Sequence, residues 1–261
     1  MVSGCGSRDG DVRRSAALYL PLLQFLIRYR RTALGPFWLM VGPTLFIGGL
    51  GLLLAEIGGI PTPLFIPHLA AGLILWSLIG AMVIGSATVF VRGYAQIMQG
   101  EQSLQEIVAA DIVTHVVAFI HQVPVLVAVI LIYGVSFSGY AWTSLLGLGF
   151  IVANGVWVSQ VFGILGARYR DLAEVLDAIM RIAFLATPII WMPGEGVRGG
   201  VMEAFLLYNP FSHFLEVVRG PLLGNPVALL SWSVVIVITL VGFALARFMT
   251  QRYARYVPLW I

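Results

Sequence analysis

Residues 112–167 read IVTHVVAFIHQVPVLVAVILIYGVSFSGYAWTSLLGLGFIVANGVWVSQVFGILGA, a run of 56 residues without Asp, Glu, Lys or Arg. A membrane-spanning helix needs about 20 predominantly apolar residues, so this run has room for two spans separated near residues 134–139. Three further charge-free runs cover residues 32–55, 57–91 and 220–246. None of them alternates between apolar and polar residues as a transmembrane β-strand does. The pattern predicts an all-α integral membrane protein.

The overall composition excludes the soluble classes. The chain is 59% hydrophobic and 10% charged, whereas a soluble domain is about 45–50% apolar and about 25% charged. All fifteen basic residues are arginine. A P-loop ATPase needs the lysine of G-x-x-x-x-G-K-[ST], and a retinal or pyridoxal Schiff base also needs a lysine. The missing lysine excludes these two kinds of site. No H-E-x-x-H or G-x-S-x-G motif occurs either, so we expect no catalytic site, cofactor or metal in this chain.

Charge placement and turn residues predict six membrane spans within residues 35–250. Residues 1–15 are rich in Gly, Ser, Arg and Asp and are predicted to be disordered. Residues 16–261 are predicted to form a single transmembrane domain. The predicted spans are 35–55, 67–91, 107–133, 142–167, 170–191 and 226–247.

Residues 16–31 are predicted to form an amphipathic helix in the membrane interface. Leu18, Leu22 and Phe25 share one helical face, and Arg28 and Arg31 lie largely elsewhere. That arrangement suits a helix beside anionic headgroups. A frayed lead-in to the first span is the alternative.

The arginines predict the orientation through the positive-inside rule. With both termini in the cytoplasm, twelve arginines lie in cytoplasmic ends and loops, Arg198 and Arg219 lie outside, and Arg181 lies within a span. This distribution predicts a multi-pass protein whose two termini are cytoplasmic.

The segment between the fifth and sixth spans carries turn signals. Residues 191–196 are expected to end the fifth helix, and Asn209-Pro210 is typical of a helix start. A short helix is predicted over 211–219, stopped by Gly220-Pro221. It is too short to span the membrane, so we expect it to be re-entrant or to lie at the outer surface.

Few charges lie inside or beside the fifth span. Asp171 is predicted to cap that helix, with Glu174 three residues later. Asp177 and Arg181 are four residues apart and are predicted to pair on the inward face, because an unpaired charge in a span is expensive. The pair has either a purely structural role or one that faces the substrate or gates the path.

Two other features have a structural and a functional interpretation. Gly155, Ser159, Gly163 and Ala167 recur every four residues and predict a close helix contact, either within the chain or at a subunit interface. The histidines of the third span, at positions 115 and 121, are expected to make hydrogen bonds between helices, since no spacing there suits a metal site.

Five motifs in this order resemble the permease subunits of ABC transporters that export polysaccharides, in particular the O-antigen and lipopolysaccharide branch. The motifs are RYRRTALGPFW at 28–38, NGVWV at 154–158, ARYRD at 167–171, TPIIW at 187–191 and NPFSHFLEVVRGPLLG at 209–224. The resemblance covers nearly all of the chain beyond residue 15. It implies the same plan of an interface helix, six spans and short outer helices between spans five and six.

The resemblance also implies partners and a location. It implies a homodimer in the bacterial inner membrane, driven by two copies of a separate ATPase that binds ATP and Mg²⁺. The substrate implied is a lipid-linked, O-antigen-like polysaccharide, and nucleic acid is not an expected partner. In such permeases the loop after span two forms a coupling helix on the ATPase; a solvated connector is the alternative. The predicted coupling residues are Tyr94, Gln99, Glu101, Gln102, Glu106, Arg168, Arg170 and Asp171.

Aromatic side chains are the predicted lining of the substrate path. Their rings offer sugars a low-specificity surface, although aromatics also face lipid or anchor helices at the interface. The predicted path residues are Trp38, Trp76, Trp157, Phe184, Tyr208 and Phe211. Export of capsule, teichoic acid, drug or lipid is one alternative function, and a membrane-embedded transferase acting on lipid-linked sugars is another.

Overall fold

The computed structural model describes residues 35–100, 102–137, 139–193 and 201–261. The predicted disordered segment (1–15), the predicted interface helix (16–31) and Glu101 lie outside these residues. Every regular element in the described part is helical. The all-α prediction is therefore confirmed for this part of the chain.

Five helical stretches among the described residues are long and apolar enough to cross a membrane. They are α1, α2, α5, α6 and the stretch Leu229–Trp260, which runs through α10 and α11. Short helices connect them or lie at their ends. In chain order the helices are α1 (Gly35–Gly58), α2 (Thr62–Ser86), α3 (Val89–Arg92), α4 (Tyr94–Met98), α5 (Leu104–Ile132), α6 (Thr143–Arg168), α7 (Leu172–Ala186), α8 (Val201–Tyr208), α9 (Pro210–Leu222), α10 (Leu229–Tyr253) and α11 (Val257–Trp260).

The bundle is built around α2 and α6. Most of α2 is buried, and α6 packs against α2, α5, α9 and α10. The end of α6, the start of α5 and helices α3, α4 and α11 meet at one end of the bundle, which we name the Arg168 end. The opposite end, named the Arg219 end, holds α8, α9 and the starts of α2 and α10.

The small-residue stripe of α6 packs within the chain. A Cβ added to Gly155 would meet the Met82 side chain of α2, and one added to Gly163 would meet Val89 and Phe90 of α3. Ser159 and Ala167, the other members, are buried as well. The stripe therefore lets α2 and α3 approach α6 closely, as the intrachain interpretation predicts.

The first helix is attached to the bundle along a narrow edge. Ile47, Gly51 and Ala55 are buried and recur every four residues, and a Cβ on Gly51 would lie 2.9 Å from the Leu69 side chain. The rest of α1 is largely exposed. A π-helical turn, Phe46–Leu50, follows Pro43. Pro43 has no backbone N–H and so removes one hydrogen bond of the helix, which accounts for the irregular turn beside it.

The predicted fifth span is shorter than expected. Helix α7 has 15 residues and is therefore about 22 Å long, which is less than the roughly 30 Å of a hydrocarbon core. It ends at Thr187, whose backbone is extended with φ −96° and ψ 139°. A proline disfavours helical backbone in the residue before it, so Pro188 stops α7. The prediction that residues 191–196 end this helix is wrong.

Helix α9 confirms the predicted short helix and extends it. The Asn209 side chain accepts a hydrogen bond from the Phe211 backbone N–H at 3.0 Å, and Pro210 occupies the first turn. The predicted stop at Gly220-Pro221 is wrong, because the helix continues to Leu222. A proline in the last turn loses only one intrahelical bond, and φ near −65° is compatible with a helix.

Candidate functional site

Three of the predicted path residues form one aromatic cluster. Trp76 of α2 lies 5.9 Å from Phe184 of α7 and 5.3 Å from Phe211 of α9, measured between ring centroids. The second pair is edge-to-face, at an interplanar angle of 72°, an arrangement that aromatic rings prefer. The cluster therefore joins three helices that are distant in sequence.

An apolar cavity of about 320 Å³ lies beside this cluster. Helices α2, α6, α7, α9 and α10 form its walls, and Trp157 and Phe211 contribute aromatic rings. Phe211 therefore belongs to both the cluster and the cavity. Four of the predicted path residues, Trp76, Trp157, Phe184 and Phe211, thus lie in one region. The remaining wall is lined by aliphatic and aromatic side chains that include Ile79, Met82, Ile151, Phe162, Met180 and Phe214.

The structure does not bring the other two path residues to this region. Trp38 lies on α1 and is 51% exposed, and Tyr208 ends α8 and is 85% exposed. Both side chains face away from the packed bundle. Their role in a substrate path stays a prediction.

Asn154 positions the Trp157 ring in the cavity wall. The Trp157 indole N–H donates to Asn154 Oδ1 at 2.6 Å, and Asn154 Nδ2 donates to Thr239 Oγ1 of α10 at 2.7 Å. The second Nδ2 hydrogen bonds the Phe150 carbonyl at 2.8 Å. These partners fix the amide orientation, since only Nδ2 can donate. The sequence signal is a lone asparagine in an apolar run, which we did not assign a role.

The predicted coupling residues cluster at the Arg168 end. Tyr94 begins the short helix α4, and its side chain is 48% exposed. Gln99 is exposed just after α4, and Arg168, Arg170 and Asp171 are exposed in the turn between α6 and α7. Two separate loops therefore present polar side chains on one surface. The partly buried residues Gln102 and Glu106 lie at the start of α5.

Glu106 has a local structural role that we missed. Ser103 Oγ accepts a hydrogen bond from the Glu106 backbone N–H, and Glu106 Oε2 accepts one from the Ser103 N–H at 2.7 Å. This is a capping box, and its signature Ser-x-x-Glu is visible in the sequence. The box predicted at Asp171 and Glu174 is absent: Asp171 is the N-cap residue, but its own backbone is helical and its side chain makes no capping bond.

The C-terminal segment braces the same surface. Helix α11 contacts both α4 and the end of α6, and Val257 at its start is fully buried. The Arg168 guanidinium lies 5.2 Å from the centre of the Trp260 ring, within the range of a cation–π contact. We did not predict this contact; the signal was the aromatic and basic composition of residues 252–260.

Asp177 and Arg181 form the predicted ion pair, with 2.5 Å between Arg181 Nη2 and Asp177 Oδ2. The Arg181 side chain is 78% exposed and that of Asp177 is 38% exposed. The pair therefore lies on the open face of α7, away from the core of this chain, and not on the inward face that the sequence predicts. Its gating role stays a prediction.

A second polar cluster joins the segment after α7 to α2 and α9 at the Arg219 end. The buried Arg219 donates to the Pro188 carbonyl at 2.6 Å, and its other terminal nitrogen lies 3.4 Å from Glu216. His68 Nε2 lies 3.1 Å and 3.2 Å from the Pro188 and Trp191 carbonyls. Two acceptors on one nitrogen indicate that Nε2 carries the proton. Arg219, 3.2 Å from that nitrogen, is then a close neighbour and not a donor to it.

Arg219 keeps its charge in this environment. Burial lowers the pKa of its guanidinium from the ordinary value, and the Glu216 carboxylate acts in the opposite direction. An arginine starts from a pKa above 12 and stays protonated in proteins. The Glu216–Arg219 spacing of three residues on one helix is visible in the sequence, whereas the bond to Pro188 is not, because it spans 31 residues.

Both histidines of α5 lie against groups one turn earlier in their own helix. His121 Nδ1 lies 2.7 Å from the Val117 carbonyl one turn earlier, and His115 lies beside Asp111, also one turn earlier. The hydrogen bonds to other helices that the sequence predicts for these histidines stay a prediction. Among the described residues no group of three His, Cys, Asp or Glu side chains could hold a metal ion.

The chain is similar over most of its length to two proteins named O-antigen export system permease protein RfbA, both from Klebsiella pneumoniae. It is 23% identical to one over 239 residues and 21% identical to the other over 238 residues. Each alignment covers 87% of this chain and 89% of the relative. No protein-family model matches the chain. The names of these relatives indicate a permease subunit of a transporter, and the apolar helices agree with a multi-pass membrane protein.

Proposed function

We propose that this chain is the membrane-spanning subunit of an ABC exporter for a lipid-linked polysaccharide. Two copies form the permease, and two copies of a separate ATPase bind ATP and Mg²⁺ and drive export across the bacterial inner membrane. The observation that carries the proposal is the similarity to O-antigen export permeases over 87% of the chain. The lack of lysine agrees with ATP hydrolysis on another subunit.

Six crossings with cytoplasmic termini form part of this proposal. Helix α7 is the fifth crossing, completed at the Arg219 end by the segment 187–193. The start of α9 reaches the level of Trp76 in the middle of α2, whereas Val218 near its end bonds Ser144 in the first turn of α6. This inclination supports a re-entrant α9. The Arg168 end then faces the cytoplasm, where the positive-inside rule places arginines.

The substrate path is proposed to follow the aromatic cluster and the open face of α7. Trp76, Phe184 and Phe211 offer stacking surfaces to sugar rings, and the Asp177–Arg181 pair lies on the exposed side of the same helix as Phe184. A second copy facing this side would enclose the pair between two chains. Charged groups inside a membrane are expected to face water or protein, which supports this side as the path.

The coupling surface is proposed to be the Arg168 end. The exposed helix α4 and the turn with Arg168, Arg170 and Asp171 form a docking surface for the ATPase. Nucleotide binding changes the permease only through contacts that differ between two conformations. Two separate loops lie on this surface and are packed against α11. They offer the ATPase contacts that can differ between the two conformations.

The test is co-expression of this chain with its cognate ATPase in a strain that lacks the corresponding exporter. We expect a stable complex and polysaccharide at the cell surface. A variant of the ATPase without its Walker lysine should form the complex and leave glycan inside the cell.

The same experiment separates the alternatives. Failure of the two proteins to co-purify would contradict the proposal. Surface glycan that persists without ATP hydrolysis would favour a transferase acting on lipid-linked sugars. Resistance to drugs without any change in surface glycan would favour export of a different substrate by the same kind of subunit.

A further inference from the structure

A charged contact ties the loop after α2 to two membrane helices. Arg92 ends α3, and its Nη2 donates to the Gly85 carbonyl of α2 at 2.8 Å and to Asp111 Oδ1 of α5 at 2.9 Å. Gly85 lies in the last turn of α2, and its carbonyl also accepts longer hydrogen bonds from the Thr88 backbone N–H at 3.2 Å and the Thr88 hydroxyl at 3.3 Å. One guanidinium nitrogen therefore caps α2 and pairs with α5.

The carboxylate in this contact lies in a tight environment. The Asp111 side chain is only 10% exposed, and its second oxygen lies 3.4 Å from His115 Nε2. Both of these atoms are buried and make no hydrogen bond within the described part of the chain. A Cβ on Gly85 would lie 3.0 Å from His115 Nε2. Because Gly85 has no side chain, Arg92, Asp111 and His115 can come together beside it. Arg92 is thus the only full hydrogen-bond partner seen for this carboxylate among the described residues.

The residues before Arg92 are buried, whereas those after it are largely exposed. Val89 and Phe90 of α3 are buried against Gly163 of α6, and this anchors the start of the loop. Tyr94 and Met98 of α4 are about half exposed. Arg92 lies between the anchored and the exposed part, so a displacement of α4 reaches Arg92 first.

We propose that Arg92 and Asp111 are a positioning pair that transmits displacement of α4 to α2 and α5. The inference rests on the proposed function, in which an ATPase docks on α4, and adds the residues that pass its movement into the membrane. The ion pair and the carbonyl bond share one nitrogen, so a shift of Arg92 disturbs its contact with the end of α2 and its contact with Asp111 together. A loop held only by its backbone would lack this connection.

The test uses three variants co-expressed with the cognate ATPase: Arg92→Gln, Asp111→Asn and the double variant. Each removes the ion pair. Arg92→Gln leaves a buried carboxylate without its cation and should lower the melting temperature of the complex most, whereas the double variant leaves no unpaired charge. We expect the melting temperature to recover in the double variant, because the two effects are coupled.

Export should not recover with it. We expect glycan exported per ATP hydrolysed to fall about 2- to 30-fold in all three variants, the range reported for changes in coupling between sites. Arg247→Gln is the matched control, since Arg247 is an exposed arginine late in α10, and it should export as the unmodified chain does.

Two outcomes would overturn the inference while leaving the proposed function standing. If the double variant regains both thermal stability and export, the pair is structural only. If all three variants export normally per ATP, the pair transmits nothing. If the unmodified chain forms no complex with the ATPase, the proposed function fails and this inference fails with it.

Discussion

Replacing Asn154 with Ala is expected to weaken the packing of α6 against α10. The substitution removes the donor to Thr239 Oγ1 and leaves the Trp157 indole N–H without its acceptor. Thr239 keeps its own bond to the Val235 carbonyl at 2.7 Å, so its hydroxyl hydrogen remains satisfied. The change therefore removes one interhelical bond and two bonds within α6, the second being the bond from Asn154 Nδ2 to the Phe150 carbonyl.

The burial of the Asn154–Thr239 hydrogen bond sets its expected interaction free energy. Hydrogen bonds between membrane helices average about 0.6 kcal/mol and reach about 1.7 kcal/mol. The Asn154–Thr239 bond is short, and both side chains are at least nine-tenths buried. We therefore expect an interaction free energy of about 1–1.7 kcal/mol, near the top of that range.

A double-mutant cycle measures this term directly. The variants Asn154→Ala, Thr239→Val and their combination are unfolded reversibly in mixed micelles, and the interaction free energy is the departure from additivity. Asn154→Asp is a useful companion, because it replaces the donating amide with an acceptor beside the Phe150 carbonyl. It should destabilise more than Asn154→Ala. An interaction free energy near zero, or equal effects of the Asp and Ala substitutions, would refute the assigned hydrogen-bond directions.

Two further predictions concern backbone packing and helix capping. Gly166→Ala should lower the free energy of unfolding by about 1–3 kcal/mol, because its Cβ would overlap the backbone carbonyl of Ala87. The control is Gly149→Ala on the same helix, whose Cβ meets nothing within 4 Å and which should be tolerated. Equal melting temperatures of the two variants would contradict this packing. Ser103→Ala should lower the free energy of unfolding by about 1 kcal/mol, because it removes the N-cap of α5. Ser103→Asp should keep the cap and most of that stability. An unchanged free energy of unfolding in Ser103→Ala would argue against the capping box with Glu106.

The long helices were predictable because their signal is local. Residues 142–167 were predicted as one span, and α6 runs Thr143–Arg168. The signal is the absence of charge over a length that fits the membrane. The short helix after Asn209 was predictable for the same reason, since its cap and first-turn proline are neighbours in sequence.

The end of α7 was misjudged because two signals competed. The prediction relied on the glycines and proline of residues 191–196, but Pro188 acts earlier and disfavours a helical Thr187. The predicted capping box at Asp171 failed although the spacing to Glu174 was suitable. A tight turn after α6 keeps Asp171 in helical backbone, and an N-cap that accepts a bond usually has extended backbone.

The polar clusters could be predicted only in part. Glu216–Arg219 and Asp177–Arg181 lie within single helices, so their spacing was visible. The bonds of Arg92 to Asp111 and of Asn154 to Thr239 join different helices. A single sequence gives no information on which helices are neighbours, and these contacts follow from that arrangement.

The exposed faces of α7 and α10 differ in charge, and this difference indicates which side of the chain faces lipid. The open side of α7 carries Asp177 and Arg181, and a charge at the centre of a lipid-facing helix costs about 2.5–3.5 kcal/mol. The open side of α10 carries Val237, Leu240 and Val241, which acyl chains solvate at no such cost. In a bilayer we therefore expect α10 to face lipid and the charged side of α7 to turn toward water or another protein.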